Sequence, residues 1–205
     1  MTLSQLFYNL LNIPYTHTES GADYAFVRED DRLYIYFEAS NGATDWKNNL
    51  DFPAIRAPRG GLLLVHRGFS RVFESIREPL TEAIVDPTVK EIVTVGYSHG
   101  AALATLCYDL TYRLRPTLSE RLSGYGFGSP RVFFGIRTRR IQKRFARFTV
   151  IRNIDDMVTH LPPSALGYFH VGNLLLVGEK GKYSKIDAHR PENIMTELLA
   201  YEAKA

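Results

Sequence analysis

Ser98 sits in the run Gly96-Tyr97-Ser98-His99-Gly100, which combines a hydroxyl nucleophile with a glycine on either side. The residues before it, Ile92-Val93-Thr94-Val95, read as a buried strand, and Ala101-Ala102-Leu103-Ala104 after it read as the start of a helix. A sharp strand-to-helix turn of this kind lifts the serine side chain above the sheet edge, and the flanking glycines relieve the crowding the turn creates. The amides at the start of the helix then lie beside the serine oxygen, where they can stabilise negative charge on a neighbouring atom. The chemistry implied is nucleophilic attack on an acyl carbon.

A serine hydroxyl is a weak nucleophile until a base takes its proton, and the base needs a carboxylate to fix its tautomer. Asp155 and Asp156 follow the strand-like Phe148 to Ile151, at the carboxyl end where parallel sheets place their ligands. Asp156 is the expected acid and Asp155 a solvated loop residue. Of the six histidines, His17 lies in an early loop, His66 ends a strand, and His160 and His170 flank Pro162-Pro163. His99 abuts the serine and cannot curl back to serve it. His189 follows both the serine and the acid and precedes the final helix, so it is the expected base. His66 and His170 are expected to be hydrogen-bonded structural residues.

These side chains need a scaffold, and the periodicity supplies one. A helix is expected over Thr2 to Leu11, and a hairpin from Tyr24 to Val27 and Leu33 to Phe37 around a polar turn. Leu62 to His66 reads as a strand, then Ser70 to Val85 as a helix in which Pro79 marks a start, a kink or a break. Next come a strand over Glu91 to Val95, a helix over His99 to Leu114, and strands over Leu122 to Phe127 and Phe148 to Ile151. A basic helical stretch, Arg137 to Arg147, separates the last two. Strands over Asn173 to Val177 and Tyr183 to Ile186, then a helix after Pro191, complete the chain. Alternation in the middle with hairpins at both ends predicts an α/β fold with a mostly parallel central sheet, flanking helices and antiparallel edge strands.

With 205 residues, 45% hydrophobic and 23% charged, the chain is expected to form a single domain over 1–205. Its 25 Lys and Arg against 22 Asp and Glu leave a net charge of +3, too small to imply nucleic acid. The single cysteine, Cys107, allows no intramolecular disulfide and no cysteine-based zinc site. No run approaches the roughly 20 apolar residues of a membrane helix, so no integral membrane segment is expected. The N-terminus shows no signal-peptide pattern, and the expected location is cytoplasmic. The stretch from Arg137 to Arg147 interleaves basic with apolar residues. It is read first as a solvated helix face, and second as a surface attracted to anionic lipid headgroups.

Several motifs in order carry a resemblance to the class 3 lipases, the α/β-hydrolase family typified by filamentous-fungal triacylglycerol lipases. Phe37-Glu38-Ala39-Ser40 resembles the family's Phe-Arg-Gly-Ser/Thr, Asp45-Trp46 its Asp-Trp pair, and Val65-His66-Arg67-Gly68-Phe69 its Val-His-x-Gly-Phe. Gly128-Ser129-Pro130-Arg131-Val132 is similar to its Gly-x-Pro-Arg-Val. The run from Asp156 to Pro163 is similar to its Asp-x-Val-Pro-x-Leu-Pro-Pro, and Gly167-Tyr168-Phe169-His170 resembles its Gly-Tyr-x-His. The order Ser98, Asp156, His189 is that of the α/β-hydrolase arrangement.

The resemblance implies that Ser98 is the nucleophile, Asp156 the acid and His189 the base. It further implies an oxyanion hole from the backbone N–H of His99 and from Ser40. The substrate expected is an acyl ester or lipid, met by transient contact with a lipid surface, with no metal and no organic cofactor. The segment from Asn41 to Pro53, with Trp46, Leu50 and Phe52, matches the family's lid and reads either as a small flap or as a surface loop. Tyr97 and His99 stand where the family has His and Leu, Glu38-Ala39 where it has Arg-Gly, and Thr159 where it has Pro.

The leading expectation is therefore a serine carboxylic ester hydrolase working through an acyl-enzyme. Two others stay open: a lipid- or partner-binding protein in which Glu38 and His99 disable the oxyanion hole, and an acyl transferase or thioesterase using the same residues.

Overall fold

The computed structural model describes residues 1–38, 53–56 and 63–204. Ser40, Asp45 and Trp46 lie outside the described residues, as does all of the expected flap except Pro53. The strands are β1 (Tyr24–Glu29), β2 (Arg32–Phe37), β3 (Ala54–Arg56), β4 (Leu64–His66), β5 (Glu91–Tyr97), β6 (Leu122–Phe127), β7 (Phe133–Phe134), β8 (Phe148–Asn153), β9 (Tyr168–Phe169) and β10 (Asn173–Val177). The helices are α1 (Leu3–Asn12), α2 (Arg67–Ser75), α3 (Arg77–Val85), α4 (His99–Leu114), α5 (Arg139–Arg144) and α6 (Pro191–Glu202).

The central sheet runs β1-β2-β5-β6-β8-β10. The pairs from β2 to β10 are all parallel, and β1 joins antiparallel at one edge through the hairpin. Asp30 turns that hairpin at φ 53, a left-handed conformation that aspartate tolerates. β5 is buried at six of its seven positions, because helices cover both faces of a parallel sheet. On one face α1 and α6 bring Phe7, Leu10, Ile194 and Leu198 against Tyr36, Val95 and Phe127. On the other, Leu103, Cys107, Leu110, Phe69 and Phe73 pack against Ile35, Phe37 and Val150. Each such side chain contributes about 1.5–3 kcal/mol when fully buried.

α4 lies close to the sheet because the residues between them are small. A Cβ at Gly100 would come within 2.2 Å of the Phe37 carbonyl oxygen. α1 begins with a capping box, in which Thr2 accepts from the Gln5 amide and the Gln5 side chain accepts from the Thr2 amide.

The structure changes several expectations. The strand at Leu62 to His66 contributes β4 to a second, antiparallel sheet, β3-β4-β7-β9, and not to the central one. β3, β7 and β9 have three residues or fewer, too short for a period to register. The helix expected from Ser70 to Val85 is two helices meeting at Ile76, and Pro79 falls in the first turn of α3, where no amide donor is needed. The basic helix has only six residues, starting at a Thr138 cap and ending where the Phe145 ring is fully buried.

The strand expected over Tyr183 to Ile186 is absent. The Ser184 hydroxyl donates to Asp187 at 2.6 Å, the Ala188 amide donates to the Ser184 carbonyl at 2.9 Å, and the Tyr183 hydroxyl turns inward to Glu197 at 2.8 Å. These local bonds compete with strand pairing. The segment becomes turns leading into the short helical turn Asp187–His189. β10 therefore ends the sheet as a parallel strand.

Candidate active site

β5 ends at Tyr97 and α4 begins at His99, leaving Ser98 at the corner with φ 56 and ψ −122. A non-glycine residue at this conformation costs on the order of 1–3 kcal/mol, so the surroundings must hold it there. They do so with the Ser98 amide donating to the Phe127 carbonyl at 2.9 Å and the Ala101 amide donating to the Ser98 carbonyl at 3.0 Å. Gly96 is required because a Cβ there would stand 2.2 Å from the Gly100 carbonyl oxygen. The positive end of the α4 dipole thus adjoins the Ser98 side chain.

β8 delivers the acid through the turn Asn153-Ile154-Asp155-Asp156, closed by the Asp156 amide on the Asn153 carbonyl at 2.9 Å. Asp156 is fully buried. Its Oδ1 accepts from the Val158 amide at 2.9 Å, and its Oδ2 lies 2.8 Å from His189 Nδ1. His189 Nε2 lies 2.8 Å from Ser98 Oγ. With the proton on Nδ1 donated to Asp156, Nε2 offers its lone pair to the serine hydroxyl. Asp155, one residue away, points elsewhere and accepts from the Gly181 amide at 2.6 Å in an exposed position.

Gly128 leaves room for this contact. Its φ is +57, and a Cβ there would lie 2.8 Å from His189 Cε1 and 3.1 Å from Asp156 Oδ2.

The structure thus brings Ser98, Asp156 and His189 together. His99 opens α4 and is buried, with its ring edge-on to Phe69 at 5.4 Å. His66 caps α2, its Nδ1 accepting from the Phe69 amide at 3.4 Å. His170 Nε2 donates to the Thr159 carbonyl at 2.7 Å, and burial pushes its pKa down to about 4.

Sequence reasoning missed Tyr97. Its hydroxyl donates to the His189 carbonyl at 2.5 Å, and its ring lies 5.2 Å from the imidazole at an interplanar angle of 30°. Burial, then the charges of Asp156 and Glu192, raise the Tyr97 pKa, so the phenol remains a donor. Its signals in the sequence, a place between Gly96 and Ser98 and a tyrosine where the family has His, show nothing of a contact 92 residues away.

Among the described residues, His17, Asp23 and Glu38 form a group with potential metal-ligand atoms within 4.8 Å of one another. His17 Nδ1 already meets Asp23 Oδ2 at 2.9 Å.

A serine on a strained turn at the carboxyl edge of a mostly parallel, helix-covered sheet defines the α/β-hydrolase class of fold. The chain belongs to the class 3 lipase family, whose model, lipase (class 3), matches residues 34–166. It is 32% identical over 146 residues to a lipase of Rhizomucor miehei, covering 68% of this chain and 40% of that protein. It is 27% identical over 160 residues to secreted mono- and diacylglycerol lipase 1 of Fusarium solani, covering 76% of this chain and 46% of that protein. The chain therefore spans less than half the length of these relatives.

Among solved structures, a fungal lipase–inhibitor complex matches with a TM-score of 0.68 at 25% identity, covering 80% of this chain and 66% of that one. The triacylglyceride lipase of Rhizomucor miehei matches at 0.66 and 24% identity, covering 82% and 66%.

Proposed function

We propose that the chain is a serine carboxylic ester hydrolase that cleaves acyl esters of glycerol or similar alcohols through an acyl-enzyme. The observation that carries this reading is the pair of 2.8 Å contacts from Asp156 to His189 and from His189 to Ser98, made on a strained turn at a helix N-terminus. Ser98 Oγ attacks the ester carbon and its proton passes to His189 Nε2, while Asp156 stabilises the imidazolium. The negative oxygen of the tetrahedral intermediate is taken by the His99 N–H and by Ser40, each such donor being worth about 10² to 10³ in rate. Collapse expels the alcohol, which receives the proton from His189. Water then loses a proton to His189, attacks the acyl carbon and frees Ser98. Family membership and the names of the relatives support glycerides as the substrate class.

The test is hydrolysis of p-nitrophenyl esters from acetate to palmitate by the wild type and by Ser98→Ala. Turnover in the wild type that drops at least about 10³-fold in the variant is expected. Equal, negligible rates across the whole series would overturn the reading and favour a binding protein. Transfer of the acyl group to an added alcohol or thiol in preference to water would favour the transferase.

A further inference from the structure

Beside the turn that carries Asp156 lies an open cavity of about 550 Å³, whose lining includes Arg131, His160 and Lys185 together with Met157, Leu161 and Pro163. Arg131 Nη1 donates to the carbonyls of His160 and Pro162, the latter at 2.9 Å, which holds the guanidinium in the wall. Arg152, on β8 two residues before the lining residue Ile154, has a buried Nε with no hydrogen-bond partner among the described residues. Its charge reaches the cavity: burial and then Arg152 hold both Arg131 and His160 below their ordinary pKa values.

Among the described residues, Arg131, Arg152 and Lys185 make no ion pair with a carboxylate. One acidic side chain, Asp155, lines the wall, and its Oδ2 is engaged by the Gly181 amide. Arg131 and Lys185 against Asp155 leave the lining itself with one net positive charge, and Arg152 behind the wall adds to that field, which favours an anion.

Of the basic residues around α5, Arg139, Arg140, Lys143 and Arg147 are exposed, where solvent screens their charge. Arg144 is paired with the buried Asp109 at 2.5 Å, and Arg137 donates to the Gly172 carbonyl at 3.1 Å. Arg131 and Lys185, in contrast, line a pocket that also holds Asp155, one residue from Asp156.

We infer that this cavity binds the phosphate of an acylglycerol phosphate, with Arg131, Arg152 and Lys185 supplying the countercharge and Met157, Leu161 and Pro163 contacting glycerol and acyl carbons. A phosphate matches the charge surplus better than a fatty carboxylate because it carries up to two negative charges on three oxygens. The inference rests on the ester-hydrolase reading for its choice of a lipid, whereas the binding itself needs no turnover. A headgroup held here adjoins the Asp156 loop, so the inference narrows the substrate class to anionic glycerolipids.

The experiment is calorimetric titration of Ser98→Ala with dihexanoyl phosphatidic acid, dihexanoylglycerol and inorganic phosphate. The phosphatidic acid is expected to bind at least about tenfold more tightly than the neutral lipid and than phosphate. Lys185→Glu and Arg152→Gln, each added to Ser98→Ala and each checked for a cooperative melt, are expected to remove most of that preference. Arg140→Glu makes the same charge change as Lys185→Glu on the exposed face of α5 and is expected to retain it.

Equal affinity for the charged and neutral lipids overturns the inference, as does an equal loss in Arg140→Glu. Inorganic phosphate binding as tightly as the lipid overturns the assignment to a lipid. Since these titrations use a protein without Ser98, absence of ester hydrolysis in the wild type would sink the proposed function and leave the binding result standing.

Discussion

The hydroxyl of Tyr97 donates to the backbone carbonyl of His189 at 2.5 Å, joining the residue before the proposed nucleophile to the proposed base. The Tyr97 ring also packs beside the imidazole, and the Phe7 ring of α1 meets it edge-on at 5.7 Å and 84°. One side chain thereby ties β5 and α1 to the loop that presents His189. The short helical turn Asp187–His189 is thereby anchored to the sheet, in addition to its own local bonds and the Asp156 contact.

Tyr97→Phe keeps the ring and deletes the bond, leaving the His189 carbonyl without that donor. A kcat about tenfold lower with KM changed less than about twofold is expected on p-nitrophenyl butyrate. Wild-type kcat alongside a lowered melting temperature would show that the ring alone positions His189.

Gly128→Ala places a methyl group against both His189 and Asp156 and adds strain at φ +57. The imidazole must shift, and kcat is expected to fall by about 10² or more, because misplacement of about 1 Å costs that much. A steady-state assay with a parallel thermal melt separates this from unfolding. Near-normal kcat in a folded variant would place the working position of the imidazole elsewhere.

The two neighbouring aspartates differ in what they contact, Asp156 meeting His189 and Asp155 the Gly181 amide. Asp156→Asn changes the hydrogen bonding that fixes the His189 tautomer, and its kcat is expected to be about 10³–10⁴-fold lower. Asp155→Asn loses a carboxylate that holds only the Gly181 amide, and its kcat on a neutral ester is expected to fall less than about threefold. Similar losses in both variants would contradict the assignment of Asp156 as the acid.

Burial holds the pKa of His170 at about 4, below its ordinary 6.5. Between these values the unfolded chain binds more protons than the folded one, so stability falls as pH drops from about 6.5 towards 4. The loss is at most about 3 kcal/mol. Urea unfolding across this range is expected to show a shallower dependence on pH for His170→Gln, which keeps a donor for the Thr159 carbonyl. An unchanged slope would assign the acid sensitivity to other groups.

The order of Ser98, Asp156 and His189 and the strands that carry the first two were legible because they are local patterns. A buried strand running into a helix through Gly-x-Ser-x-Gly announces its own turn, and an aspartate just past a strand end has few places to go. The segment Tyr183 to Ile186, ahead of the His189 loop, alternates like a strand, but its Tyr183 and Ser184 side chains bond nearby groups instead. β3, β7 and β9 left no period to read, so the second sheet was invisible.

By itself the sequence determined the elements whose signals lie within a few residues of one another: the turn at Ser98, the parallel run of buried strands, and the candidate acid and base in chain order. Only the tertiary structure decided that Tyr97 holds the His189 carbonyl 92 residues away, and that Gly128 opens space for the imidazole. It also decided that Arg131, Asp155 and Lys185 line one pocket. Those relationships join segments far apart in the chain, and side-chain periodicity carries no information about which distant segments meet once the sheet has closed.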